Sequence, residues 1–220
     1  AGVSVFRLSG PDAVTALNLL CEKPLSTPRK VYYRPLLHPQ TKEIIDQALV
    51  FYFKSPHSFT GEDVAEIHTH GSIAVIRAIL DALKIIPGLR LAEPGEFARR
   101  AFFNQKLDLT QAEALADLIE AESSMQLKQA LRQLGGSLHN QYESWRKELI
   151  EACAFIEAYI DFSDEDIPVN LAAQLTEKVE RLRNSLKSHL QDNRRGEKLR
   201  HGIYVTLVGP PNAGKSSLLN

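Results

Sequence analysis

"DVAEIHTHGSIAVIRAILDALKIIPG", Asp63 to Gly88, holds two periodicities back to back. Val64, Glu66, His68 and His70 alternate with Ala65, Ile67 and Thr69, the period of two that marks a half-buried strand. After Gly71 the period lengthens: Ile73, Ile76, Ile79, Leu80 and Leu83 share one helical stripe, with Ser72 as N-cap and Pro87-Gly88 as the stop. A strand feeding a helix makes the surrounding region mixed α+β. Outward from it, "GVSVFRLSG" (2–10) alternates likewise and meets Gly10-Pro11, with Pro11 suited to the first turn of a helix reaching about Cys21. "IIDQALVFYFK" (44–54), rich in β-branched and aromatic residues, is another strand.

Beyond about residue 105 the pattern becomes helical almost throughout, so three regions are expected: 1–104, 105–200 and 201–220. In "LTQAEALADLIEAE" (109–122), Thr110 and Glu113 have capping-box spacing, which starts a helix at Thr110. Its stripe runs through Leu115, Leu118, Ile119, Leu127, Leu131 and Leu134 to a turn or kink at Gly135-Gly136. A second long helix carries Leu138, Tyr142, Trp145, Leu149, Cys153, Ile156 and Ile160 and ends at the acidic "DFSDEDIP". A third places Leu171, Leu175, Val179, Leu182, Leu186 and Leu190 at helical spacing. Such helices must pack on one another as a bundle or hairpin, one that chain beyond Asn220 would complete.

Composition excludes several classes. The net charge of -1 gives no overall pull towards nucleic acid, so any RNA contact must come from a local patch such as "NRRGEKLRHG" (193–202), for which a solvated helix end is the plainer reading. Cys21 and Cys153 have neither disulfide-framework nor zinc spacing. No run of 18 apolar residues exists to span a bilayer. The absence of an initiator methionine and the start within an apolar run read as a chain clipped at both ends.

"GPPNAGKSSLLN" (209–220) fits the G-x-x-x-x-G-K-[ST] phosphate loop at Gly209, Gly214, Lys215 and Ser216. Ile203, Val205 and Leu207 before it read as a strand, and "SSLLN" opens a helix. The glycines let backbone N–H groups face phosphates, Lys215 reaches the β- and γ-phosphates and Ser216 ligates Mg2+. No D-x-x-G or N-K-x-D follows, so the 220-residue chain is expected not to hydrolyse nucleotide.

Three polar groupings stand out in the first region. Glu66, His68 and His70 share a strand face and form either a ligand-binding face, a set of satisfied structural groups or a metal cluster that still lacks an evident further ligand. Arg7 sits on the strand face of Val3 and Val5, where a charge needs an internal carboxylate or an anion in a cleft. "AEPGEFARRAFFNQKLDL" (92–109) sets Arg99, Arg100 and Lys106 around Phe97, Phe102 and Phe103 after a Pro-Gly turn.

The stretches "SFTGEDVAEIHTHG", "EPGEFARRAFFNQKLDLTQAEALADLIEAE", "IEAYIDFSDED" and "GPPNAGKSSLLN", in this order, resemble the MnmE (TrmE) family of tRNA-modification GTPases over essentially the whole chain. The resemblance implies an α+β N-terminal folate-binding domain of the aminomethyltransferase type, then an all-α helical domain, ending at the first strand and P-loop of an α/β GTPase domain inserted in the helical one. By motif, Arg7, Glu66 and Lys106 would bind 5-formyltetrahydrofolate. Asn212, Ala213, Gly214, Lys215, Ser216 and Ser217 would bind GTP, with Asn212 also holding an activating K+ and Ser216 the Mg2+. Implied partners are a second copy through the N-terminal domain, tRNA, and an MnmG-type FAD- and NADH-dependent protein; no membrane is involved. The joint product is a C5-modified wobble uridine, with GTP hydrolysis cycling the dimer. "HTHGS" and Pro210-Pro211 depart from the commoner patterns and resemble the mitochondrial branch, which implies the mitochondrial matrix, a bacterial cytoplasm being the alternative. A folate-dependent aminomethyltransferase and a dimerisation scaffold without ligand are the rival readings.

Overall fold

A computed structural model describes residues 1–161, 170–191, 206–210 and 213–219. The chain divides into two compact units, Ala1–Ala112 and Glu113–Asn220.

The first unit is built on four antiparallel strands, β1 (Val3–Ser9), β2 (Tyr32–Leu37), β3 (Ile44–Phe53) and β4 (Val64–His70), in the spatial order β1-β4-β3-β2. Helices α1 (Ala13–Leu20) and α2 (Ile73–Lys84) cover one face. There Leu17, Leu20, Leu36, Val50, Ile67 and Ile79 lose all contact with solvent. Ser72 caps α2 as expected, accepting from the Val75 amide at 3.2 Å. Strand β2 was not legible because Pro35 interrupts it; it lies on the sheet edge, where a missing N–H is tolerated. Helix α3 (Glu96–Phe103) follows the Pro-Gly turn, with left-handed Gly95 as its N-cap.

The face of β1 that Val3 and Val5 share with Arg7 is the open one: they are 60% and 55% exposed, while the opposite side of β1 packs Phe6 and Leu8 inward. The period of two fixes which residues share a face but not which face is covered. Helix α4 (Leu109–Glu120) is capped by Asp108, not Thr110. Asp108 Oδ1 accepts from the Gln111 amide at 2.9 Å, Gln111 Oε1 accepts from the Asp108 amide at 3.0 Å, and Thr110 Oγ1 donates to Asp108 instead.

In the second unit the stripe expected to run unbroken from Thr110 to Leu134 is interrupted. A capping box of Ser123 and Gln126 starts a separate helix, α5 (Ser124–Leu134). After left-handed Gly136 come α6 (Ser137–Asp161) and α7 (Asn170–Leu190), which form a hairpin. Trp145 Nε1 donates to Ser185 Oγ at 2.9 Å, and Lys178 pairs with Glu151 at 2.8 Å. Ile203 and Val205 of the strand expected before the phosphate loop lie outside the described residues, and 206–210 carry no regular secondary structure. A short helix α8 (Lys215–Leu219) follows left-handed Gly214. Most of "DFSDEDIP" and all of "NRRGEKLRHG" lie outside the described residues.

Candidate functional site

The antiparallel register of β1 and β4 sets Arg7 directly opposite Glu66 on the sheet face that α1 and α2 leave bare. Arg7 Nε donates to Glu66 Oε1 at 2.8 Å, so the odd charge on β1 has its carboxylate. Two phenyl rings flank the same guanidinium, with the Phe59 and Phe97 centroids 5.6 and 5.8 Å from Cζ, within cation–π range. On the far side of Glu66, Oε2 lies 3.4 Å from His68 Nε2, and His68 meets the Phe51 ring edge-on.

The H-x-H pair is split between two carboxylates. His70 Nδ1 lies 2.8 Å from Asp46 Oδ1, and the His70 amide donates to Asp46 Oδ2 at 2.8 Å. Burial raises the Asp46 carboxyl, but the hydrogen bonds from His70 and from the Gln47 amide outweigh it and hold the group below its ordinary value. Among the described residues no group of three or more His, Cys, Asp or Glu is placed to hold a metal, and the two histidines turn to different carboxylates.

Arg7 also lines a cleft of about 450 Å³ along the free edge of β1. Its walls are Val5–Ser9, the end of α2 at Leu83 and Lys84, the segment Gly88–Ala92, and Phe97 and Arg100 of α3. An unpaired strand edge presents alternate backbone N–H and C=O groups. The cleft therefore combines apolar walls, a flat aromatic, several cations and hydrogen-bonding backbone.

The anchor of the far wall is Glu96, nine-tenths buried or more, which sequence reasoning missed. Arg90 grips it with two bonds of 2.6 and 2.9 Å, the Glu93 amide donates at 2.8 Å, and Arg100 adds bonds of 2.8 and 3.1 Å. The Arg90 bonds first, then the Glu93 amide and Arg100, hold the Glu96 carboxyl far below the usual carboxylate range. Arg100 reaches on to Glu62 at 2.9 Å, which accepts from Ser9 Oγ at 2.8 Å, tying α3 to the end of β1. The available signal was Arg100 four residues after Glu96, one helical turn on.

Lys106 lies outside the cleft wall. It is exposed, has no ion pair among the described residues, and its stem crosses Gly61. Gly61 is two residues from Phe59, the ring under Arg7, so Lys106 and Arg7 each touch the 58–62 loop, while Glu66 is joined to Arg7. Cys21 is buried, which pushes its thiol up to about 11, with Arg34 opposing. That is the state of an inert core cysteine.

In the phosphate loop, Lys215 Nζ donates to the Gly209 and Pro210 carbonyls at 2.8 and 2.6 Å. Ala213, Gly214, Ser216 and Ser217 are exposed. Asn212, the expected K+ residue, lies outside the described residues.

Two family models match in tandem, "GTP-binding protein TrmE N-terminus" over residues 1–106 and "MnmE helical domain" over 109–204. The full 220 residues align with proteins named tRNA modification GTPase MnmE from Rickettsia bellii at 54% identity, Rickettsia akari at 53% and Rickettsia typhi at 50%. The chain belongs to the MnmE (TrmE) family. It spans about half the length of these curated relatives, covering 49% of each. The match to the MnmE helical domain extends through α4 to α7, so the two models together cover the first unit and the second as far as residue 204.

Proposed function

We propose that the full-length protein is a tRNA modification GTPase whose N-terminal unit binds a reduced folate, 5-formyltetrahydrofolate, at Arg7 and Glu66, with Lys106 meeting its anionic tail. The observation that carries this reading is the Arg7–Glu66 pair, bonded at 2.8 Å beside two phenyl rings, with Arg7 and Phe97 also lining a cleft. A pterin is flat, presents N–H donors suited to a carboxylate, and stacks on aromatic faces; its glutamate tail calls for a free cation. Lys106 is such a cation. The folate would supply a one-carbon unit for the C5 position of a wobble uridine. An FAD- and NADH-dependent MnmG-type partner would supply the redox chemistry.

The bare sheet face favours a homodimer. Besides Val3 and Val5 it presents Tyr33 and Leu49, an apolar patch that no described element covers. GTP would be held by the loop around Gly214, Lys215, Ser216 and Ser217, with Ser216 on Mg2+ and Asn212 on K+. The residues fit: Lys215 is already drawn over the loop at the Gly209 and Pro210 carbonyls, and left-handed Gly214 opens the short helix that carries Ser216 and Ser217. Mg2+ and K+ would neutralise charge on the phosphates. Hydrolysis belongs to the longer protein, which carries the remainder of the nucleotide domain.

Isothermal titration of the full-length protein with 5-formyltetrahydrofolate tests the folate site. Arg7→Ala and Glu66→Ala each remove a charge-assisted contact worth about 1.5–3 kcal/mol, so each should weaken binding roughly 10- to 100-fold. Unchanged affinity in both variants refutes the site.

A further inference from the structure

Lys106 owes its place to two neighbours that do not themselves carry charge. A lysine stem has many rotamers, so a free ammonium meets a ligand well only if something holds its methylenes. After α3 ends at Phe103 the chain turns back on itself. The Asn104 amide donates to the Arg100 carbonyl at 2.9 Å, Gln105 takes a left-handed φ of 57°, and the Lys106 amide donates to the Ala101 carbonyl at 2.8 Å. That turn is fastened to the 58–62 loop by Asn104 Nδ2, which donates to the Thr60 carbonyl at 2.7 Å. Thr60 is fully buried, and its hydroxyl meets Ser9 Oγ at 2.6 Å, so the anchor is itself fixed to β1.

Gly61 completes the arrangement. Its φ is 80°, and a Cβ there would lie 2.9 Å from Asn104 Cβ and 3.4 Å from both Cγ and Cε of Lys106. The lysine stem thus runs across the bare glycine backbone in a space that any side chain would fill. The same loop carries Phe59, the ring beneath Arg7, so it sets the offset between the two cations.

We propose that Asn104 and Gly61 are positioning residues that hold Lys106 at a fixed offset from Arg7 to meet the carboxylate of the folate tail. The proposal rests on the folate reading above.

The test is a titration of the full-length protein with 5-formyltetrahydrofolate at several NaCl concentrations, with melting temperature measured in parallel. Lys106→Ala should weaken binding and flatten its salt dependence. Asn104→Ala should weaken binding about three- to tenfold, flatten the salt dependence in the same way, and add nothing in the Lys106→Ala background. Gly61→Ala, which displaces the stem from the other side, should do the same, and it serves if Asn104→Ala does not fold. Wild-type affinity in a folded Asn104→Ala protein, or a loss that adds in full to that of Lys106→Ala, overturns the positioning role. If Lys106→Ala has no effect while Arg7→Ala does, the tail lies elsewhere and the positioning role falls with it. If neither Arg7→Ala nor Glu66→Ala has an effect, it is the folate reading that fails.

Discussion

The two units draw on equally regular apolar patterns and bury them very differently. In the first, α1 and α2 close over the sheet, and Leu17, Leu20, Leu36, Ile67 and Ile79 become inaccessible. In the second, the buried apolar residues among those described are Ala114, Ala130, Ala152 and Leu182, while Leu149 and Ile160 of the expected stripe are 54% and 65% exposed. Periodicity tells which side of an element is apolar; it does not tell what covers that side. A sheet with two helices on one face supplies its own cover, whereas a helical hairpin meets along one seam and leaves its remaining apolar surface for further chain.

The largest expected effect follows from the closed core. Ile67→Ala deletes a fully buried side chain between β1, β3 and the covering helices and should destabilise the first unit by about 2–5 kcal/mol. Trp145, the single tryptophan, sits on α6, so its fluorescence reports the second unit alone. The contrast holds if hydrogen exchange in β4 accelerates while the Trp145 transition stays in place, and it breaks if both transitions move together.

The next effect probes the polar anchor of the first unit. Glu96→Gln removes the charge that Arg90 and Arg100 grip and should lower the melting temperature of that unit by several degrees at neutral pH. The sign with pH follows from the depressed carboxyl. Its contribution is complete above the unfolded value of about 4.3 and is lost as pH falls towards the folded value. The difference between wild type and variant should therefore be largest from pH 5 upward and shrink below about pH 4. A constant difference across that range in acid-unfolding curves would mean that Glu96 acts through shape and not charge.

Much of the first unit was readable because its elements are locally consistent: β1, β3, β4 and α2 follow period, cap and stop signals. What failed has physical causes. Pro35 hid an edge strand, Asp108 outcompeted Thr110 as a cap, and the Ser123–Gln126 box cut a continuous apolar stripe in two. Arg7 was recognisable as anomalous from its neighbours, but its partner is set by cross-strand register between residues 59 apart in the chain, which no local pattern encodes. The Glu96 cluster depends on Arg90 arriving through the turn at left-handed Gly88, a geometry that sequence spacing alone does not fix.

The smallest effect is the one that sharpens the comparison most. Leu149→Ala and Ile156→Ala truncate half-exposed side chains on α6, and because exposed surface has little transfer energy left to lose, each should cost well under about 1 kcal/mol in the 220-residue chain. In full-length protein the expectation differs. The curated relatives are about twice as long, and if their additional chain supplies the helices that cover this face, the same substitutions become core truncations costing about 2 kcal/mol or more. Trp145 fluorescence during urea unfolding measures both cases with one probe, since the ring stacks on Tyr142 beside the hairpin seam at Ser185. A large loss in the short chain would show that the α6–α7 hairpin already uses these side chains. Equal, small losses in both lengths would show that the apolar face of α6 stays open in the whole protein, and the difference between the two units would then be a permanent property and not one of missing cover.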